Sequence, residues 1–206
     1  MNTKEYELNL LNETLQWAKT KPQTAPIIPH YEEYLEKASK HTPIISEDWG
    51  KHNLRHGPNS IRGTTSEFMT SIALAVEGYE ISQVVDKKEQ KYGSDLKVFK
   101  GSWPYVFSVK SARPVQLADG EVILKLYREY FDSAEWRVNF LSLVHPESRQ
   151  LWLINYPLVG NIYCTKNDRG LYTPAFTEQS VAFRVNQTKL VFPNGIQHID
   201  LMKGNQ

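Results

Sequence analysis

Apolar positions along the chain follow two rhythms, and their alternation predicts a mixed architecture. Leu8, Leu11, Leu15 and Ala18 recur at three- and four-residue spacings, which predicts an amphipathic helix over residues 3–20. Three prolines in Lys21-Pro-Gln-Thr-Ala-Pro-Ile-Ile-Pro29 end it, and a short helix over roughly 30–40 follows. Residues 41–63 carry Pro, Gly, His and Arg without periodicity and predict an irregular arm. Then Phe68, Ile72, Ala75 and Val76 return to helical spacing. Thr64-Thr65-Ser66-Glu67 supplies N-cap chemistry before them, and Gly78 supplies a stop.

The rhythm then shortens to two. Strands are predicted at Tyr79–Val85, at Asp95–Phe99 after Gly93-Ser94, and at 105–112 after Gly101-Ser102-Trp103-Pro104. Residues 121–134 are predicted as a helix on Ile123, Leu126, Tyr127, Tyr130 and Phe131, although Val122, Leu124 and Leu126 also fit alternation. Val138–Val144 and Leu151–Asn155 flank a His145-Pro-Glu-Ser148 turn. Beyond 158 the chain reads as short strands and loops, clearest at 181–185 and 189–192. The expected class is α/β (α+β), with a helix-strand-strand-strand-helix-strand core on a mixed central sheet. Residues 1–62 form a helical extension and loop, 63–157 the core, and 158–206 a β-rich extension of the same domain.

Composition narrows the class. At 206 residues, 40% hydrophobic and 23% charged, the chain suits one globular domain able to bury a core. Net charge is +1, so the molecule as a whole is no electrostatic trap for nucleic acid. Between Asp86 and Arg113, however, seven basic residues face three acidic ones, a local excess suited to phosphates or to a solvated hairpin. The lone Cys164 excludes an intramolecular disulfide and a cysteine-built metal site. The charged start, Met-Asn-Thr-Lys-Glu-Tyr-Glu, predicts no signal peptide, and no apolar run approaches the ~20 residues of a membrane span. A cytoplasmic location is expected.

One charge breaks the apolar pattern. Lys110 lies inside Tyr105-Val-Phe-Ser-Val-Lys-Ser-Ala112, on the same face as Ser108, while Phe107 and Val109 point the other way. A lysine there needs a partner. Asp95 opens the preceding hairpin strand and can approach Ser108–Lys110 across an antiparallel ladder. Glu67, in the expected first helical turn, can reach over the same sheet end. Two carboxylates suit a hard cation that also takes phosphate oxygens, and a lysine beside it can orient water or offset charge on phosphorus.

Glu67 on a helix, Gly-Ser-Asp95 opening a strand and Ser108-Val-Lys110 in the next resemble the PD-(D/E)XK nuclease superfamily. The element order over about 64–144 is similar to that superfamily's common core. The resemblance implies a metal-dependent DNA endonuclease using Mg²⁺, or Mn²⁺ in its place. Asp95 and Glu67 would bind the metal, Lys110 would be the catalytic lysine, and Ser108 would hydrogen-bond a metal-bound water. It also implies DNA as partner, phosphate contacts from Lys51, Arg55, Arg62 and Arg113, and a homodimer for cutting both strands. Two departures stand out. Tyr92-Gly93-Ser94 replaces the usual proline before Asp95, and Ser108 stands where a second strand carboxylate is usual. Ser108 keeps open an alternative: a catalytically inactive DNA-binding or assembly subunit of the same fold.

Plainer roles exist for each residue. Lys110 can blunt an edge strand, Asp95 can open a strand after a turn, and Glu67 can favour a helix N-terminus. A Ser108–Lys110 hydrolase dyad lacks a Gly-rich nucleophile turn. His52 and His56 have metal-ligand spacing but sit in a segment read as a loop without a third ligand. Lys166–Gly170 reads as a hairpin turn.

Overall fold

The computed structural model describes residues 3–41, 44–45, 54–83, 94–111, 113–116, 122–127, 138–155, 163–164, 180–184 and 196–200. Three helices are described: α1 (Lys4–Ala18), α2 (Ile28–Lys40) and α3 (Pro58–Val76). The strands are β1 (Ile44–Ile45), β2 (Leu54–Arg55), β3 (Glu80–Gln83), β4 (Leu96–Lys100), β5 (Trp103–Ser111), β6 (Arg113–Gln116) and β7 (Val122–Tyr127). They continue with β8 (Phe140–His145), β9 (Gln150–Asn155), β10 (Tyr163–Cys164), β11 (Ser180–Arg184) and β12 (Ile196–Asp200). The fold is a mixed α+β arrangement.

The central sheet runs β12-β9-β8-β5-β4-β3. Every pair is antiparallel except β5 with β8, where Phe107 faces Phe140 and Lys110 faces Leu143. Asn139 extends this parallel ladder. Its backbone N–H donates to the Val106 carbonyl and its side-chain oxygen accepts from the Val106 N–H, both at 2.8 Å. A second sheet runs β10-β11-β7-β6, and β1 pairs with β2.

Helix α3 is the hub. It presents Met69, Ala73 and Leu74 to a buried cluster with Leu96, Val98, Phe107, Val109, Phe140 and Val144 of the sheet. Another stripe, Ile61, Phe68, Ile72 and Ala75, meets Leu11, Leu15, Ala18 and Tyr31 of α1 and α2. Tyr31 stacks on Phe68 with ring centroids 4.0 Å apart. Two apolar faces explain why α3 is almost entirely buried over Phe68–Ala75. Its end is a Schellman motif: Gly78, at φ +83°, donates to Ala75 and Tyr79 donates to Leu74, both at 3.0 Å. No described helix is long and apolar enough to cross a membrane.

Three expectations change. Helix α3 starts at Pro58 after Gly57, six residues before the expected cap, because proline is pre-organised for the first helical position. Glu67 therefore lies mid-helix, nine residues in, and draws nothing from the N-terminal dipole. The Thr64–Ser66 run is no cap. Thr65 and Ser66 lie within the helix, and their hydroxyls donate to the carbonyls of Ile61 and Arg62. Over 122–127 the expected helix is strand β7, paired to β6 and β11. The alternation of Val122, Leu124 and Leu126 wins once two partner strands supply its ladder; residues 128–134 lie outside the described set. The predicted strand at 189–192 also lies outside it.

The third change concerns Arg62, expected on phosphate. Its side chain is 13% exposed and lies between two carboxylates. The guanidinium forks onto Glu147 with two contacts of 2.7 Å and reaches Glu7 at 3.2 Å. Glu147 in turn meets His145 Nε2 at 3.3 Å. Glu7 is fully buried, and its second oxygen has no described partner. Burial raises its carboxyl above the usual range, against the pull of Arg62. Burial also disfavours the Glu147 anion, but the Arg62 bonds outweigh it and hold that carboxyl low. This cluster joins α1, α3 and the β8–β9 turn, so Arg62 is a fold residue. Replacing Arg62 with leucine strands the Glu7 charge and should destabilise the protein by about 3–5 kcal/mol in urea denaturation. Adding Glu7→Gln to that variant should recover most of the loss.

Candidate active site

The site forms where β4 begins against β5. The antiparallel register sets Leu96 opposite Phe107, and the Asp95 N–H donates to the Phe107 carbonyl at 2.8 Å. Asp95 therefore falls beside Ser108, on the face opposite Phe107 and Val109. Asp95 Oδ2 accepts three hydrogen bonds: from the Val109 N–H at 2.6 Å, the Ser108 hydroxyl at 3.2 Å and the Lys110 ammonium at 3.3 Å. All the described bonds fall on this one oxygen, which leaves Oδ1 its lone pairs for another partner. The side chains of Asp95 and Lys110 are 24% and 20% exposed, so the pair borders solvent. Ser108 is fully buried.

Glu67 completes the group from α3. Burial, then the negative charge of Asp95, push its carboxyl up to about 8, against the opposing pull of Lys110. That coupling ties Glu67 electrostatically to both strand residues. No hydrogen bond to the Glu67 carboxyl is formed among the described residues. Its backbone is fixed instead: the Ser71 hydroxyl donates to the Glu67 carbonyl at 2.9 Å, and Tyr31 of α2 bonds Ser71 at 3.1 Å.

The structure thus brings together all four core candidates, Glu67, Asp95, Ser108 and Lys110. Two partly desolvated carboxylates, one raised by burial and then by the other's charge, are a donor set that a divalent cation would relieve. Mg²⁺ is commonly held by only one or two carboxylates and completes its shell with water and substrate oxygens. The residues therefore fit such an ion. Among the described residues no group of three His, Cys, Asp or Glu side chains converges, so an all-protein metal cage is not formed there.

The peripheral candidates fare differently. Arg62 is held by Glu7 and Glu147, as above. Arg55 lies in β2 and Arg113 in β6, directly after the β5 residues of the site, but their side chains lie outside the described set. Lys51 and His52 lie outside it too, as do Lys87, Lys88 and Lys91 of the basic segment. His56 is buried and packs near Tyr34 and His41, which places it in the α2–α3 contact rather than on a ligand-binding loop.

Sequence reasoning missed the hydroxyls between α3 and the sheet. Ser66 meets Ser111 at 2.7 Å and Thr70 meets Ser142 at 2.8 Å. The available signal was the run of Thr65, Ser66, Thr70 and Ser71 on an otherwise apolar helix, which calls for polar partners when buried.

No protein-family model and no curated protein sequence matches this chain. Among solved structures, the bacterial homing endonuclease I-Ssp6803I aligns at a TM-score of 0.38 and 9% identity, covering 68% of this chain and 72% of that one. At that score the two share no more than a coarse arrangement of elements.

Proposed function

We propose that the protein is a metal-dependent endonuclease that hydrolyses phosphodiester bonds of DNA, with a PD-(D/E)XK-like site. The observation that carries the reading is the convergence on Asp95: Lys110 and two further donors meet one of its oxygens, while burial and then its charge raise the Glu67 carboxyl. Asp95 and Glu67 would hold Mg²⁺ or Mn²⁺. When bound, the cation polarises a phosphoryl oxygen and lowers the pKa of coordinated water.

The chain's own residues do the rest. Lys110 is anchored at one end by Asp95 and borders solvent, where its ammonium can hold a water or offset charge developing on a phosphate oxygen. Val109 N–H and Ser108 fix the Asp95 rotamer, so its Oδ1 has one direction to face. Ser108 is a positioning residue in this scheme, bonding the carboxylate itself. Glu67 is protonated near neutral pH and must release its proton before it serves as an anionic ligand. Arg113, following the site strand, and Lys51 and Arg55 are proposed phosphate contacts. A homodimer would match the two-fold symmetry of duplex DNA.

The test is conversion of supercoiled plasmid to nicked or linear forms by purified protein. Cutting in Mg²⁺ or Mn²⁺ that EDTA abolishes is expected; no cutting on any DNA form would sink the reading.

Ser108 favours a second reading, a DNA-binding or assembly subunit without catalysis. It is neutral and fully buried where another carboxylate would add metal affinity. Salt-dependent DNA binding with no Asp95-dependent metal binding would select that reading.

A further inference from the structure

The two sides of the site are borne by different elements: Glu67 by α3, Lys110 by β5. Their neighbours are bonded to each other. Ser66, next to Glu67, meets Ser111, next to Lys110, at 2.7 Å between hydroxyl oxygens. Either hydroxyl can be the donor. The Ser66 hydroxyl also lies 3.0 Å from the Arg62 carbonyl, which can only accept, so when Ser66 donates there Ser111 is the donor to Ser66. One turn further along α3 the arrangement repeats: the Thr70 hydroxyl lies 3.0 Å from the Ser66 carbonyl and bonds the Ser142 hydroxyl at 2.8 Å. Both bonds join α3 to the sheet across the otherwise apolar interface of Met69, Ala73, Phe107 and Val109. Apolar packing alone is non-directional. A hydroxyl pair sets a register.

We propose that the Ser66–Ser111 hydrogen bond is the positioning device of the site, fixing the distance between the Glu67 carboxyl and the Asp95–Lys110 pair. Ser111 and Ser66 are positioning residues: they act through their neighbours and touch neither metal nor DNA. Thr70–Ser142 is built the same way but lies a turn away from Glu67 and serves the fold alone. This inference rests on the proposed nuclease function.

The test compares Ser111→Thr with Ser111→Val. The two side chains have nearly the same shape, and both suit a strand, but only threonine keeps the hydroxyl. Ser142→Ala serves as the structural control. Three quantities are measured: Mg²⁺ affinity of the DNA-free protein by calorimetry, single-turnover cleavage rate, and melting temperature. Ser111→Val is expected to bind Mg²⁺ about tenfold more weakly and to cut about 10- to 100-fold more slowly, the scale on which small misplacements act. Ser111→Thr is expected to stay within about threefold of wild type in both. Ser142→Ala is expected to lower the melting temperature as much as Ser111→Val does while keeping metal affinity and rate.

Equal behaviour of the Thr and Val variants overturns the inference, as does a Ser142→Ala loss that matches Ser111→Val in affinity and rate. Should Ser111→Val fail to fold, Ser66→Ala against wild type gives the same reading from the other side of the bond. A wild-type protein that neither binds Mg²⁺ nor cuts DNA overturns the nuclease function itself, and this inference with it.

Discussion

Lys110→Met is expected to cut DNA about 10²–10³-fold more slowly than wild type in Mg²⁺, yet to bind Mg²⁺ no more weakly. The split follows from where the ammonium sits. Lys110 lies 3.3 Å from Asp95 Oδ2 and partly faces solvent, beside the carboxylates and not among them. It carries positive charge next to the proposed cation site, so its removal would lessen repulsion toward the metal. What would be lost is the donor proposed to meet water or a phosphate oxygen. Methionine keeps much of the length and apolar stem, so the strand should hold. Lys110→Arg restores charge with a broader, planar head and should recover only part of the rate. Single-turnover cleavage beside calorimetric Mg²⁺ titration checks this. Wild-type rate in Lys110→Met would show that the lysine has only a structural role.

The second large effect is on pH. Glu67 has its carboxyl raised from 4.5 to about 8, first by burial and then by Asp95. In the folded, metal-free protein it is therefore neutral at pH 6 and mostly ionised only above pH 8. A cation that uses Glu67 must displace that proton. Apparent Mg²⁺ affinity should rise about tenfold per pH unit up to about pH 8, roughly a hundredfold from pH 6, and then level off. The sign for folding is the opposite. The unfolded chain releases this proton near pH 4.5 and the folded chain near 8. Stability of the metal-free protein thus falls as pH rises through that window and is flat above it. Glu67→Gln removes both trends, weakens metal binding, and leaves the metal-free fold more stable than wild type at pH 8.5. Titrations at several pH values, with and without Mg²⁺, read all of these together. A pH-independent affinity between 6 and 8 would mean that Glu67 is not a ligand.

Much of the site was legible because it depends on short-range rules. Strand alternation places Ser108 and Lys110 on one face, and an antiparallel hairpin puts Asp95 opposite them; the structure follows both. Helix α1 was likewise readable from its apolar spacing, and α2 was placed after the proline break that follows it. The misreadings came from partners distant in sequence. Residues 122–127 fit either periodicity, and only their pairing with β6 and β11 decides for strand. Arg62 looked like a free phosphate contact because its partners, Glu7 and Glu147, are 55 and 85 residues away in the chain. Thr64–Ser66 resembled a cap because buried hydroxyls that bond back to helix carbonyls have the same composition as capping ones. The raised Glu67 carboxyl could not be read from sequence, since burial and the Asp95 charge act through tertiary packing alone.

Metal-dependent cleavage at Asp95 is tested most directly by plasmid cutting with Asp95→Asn, purified in parallel with wild type. Asparagine keeps the shape of Asp95 and an acceptor for Val109 and Ser108, so the fold should survive while the charge is lost. Mg²⁺-dependent cutting by wild type, abolished by EDTA, is expected, with cutting by Asp95→Asn at least about 10²-fold slower. Equal cutting by the two proteins would contradict the proposed role of Asp95.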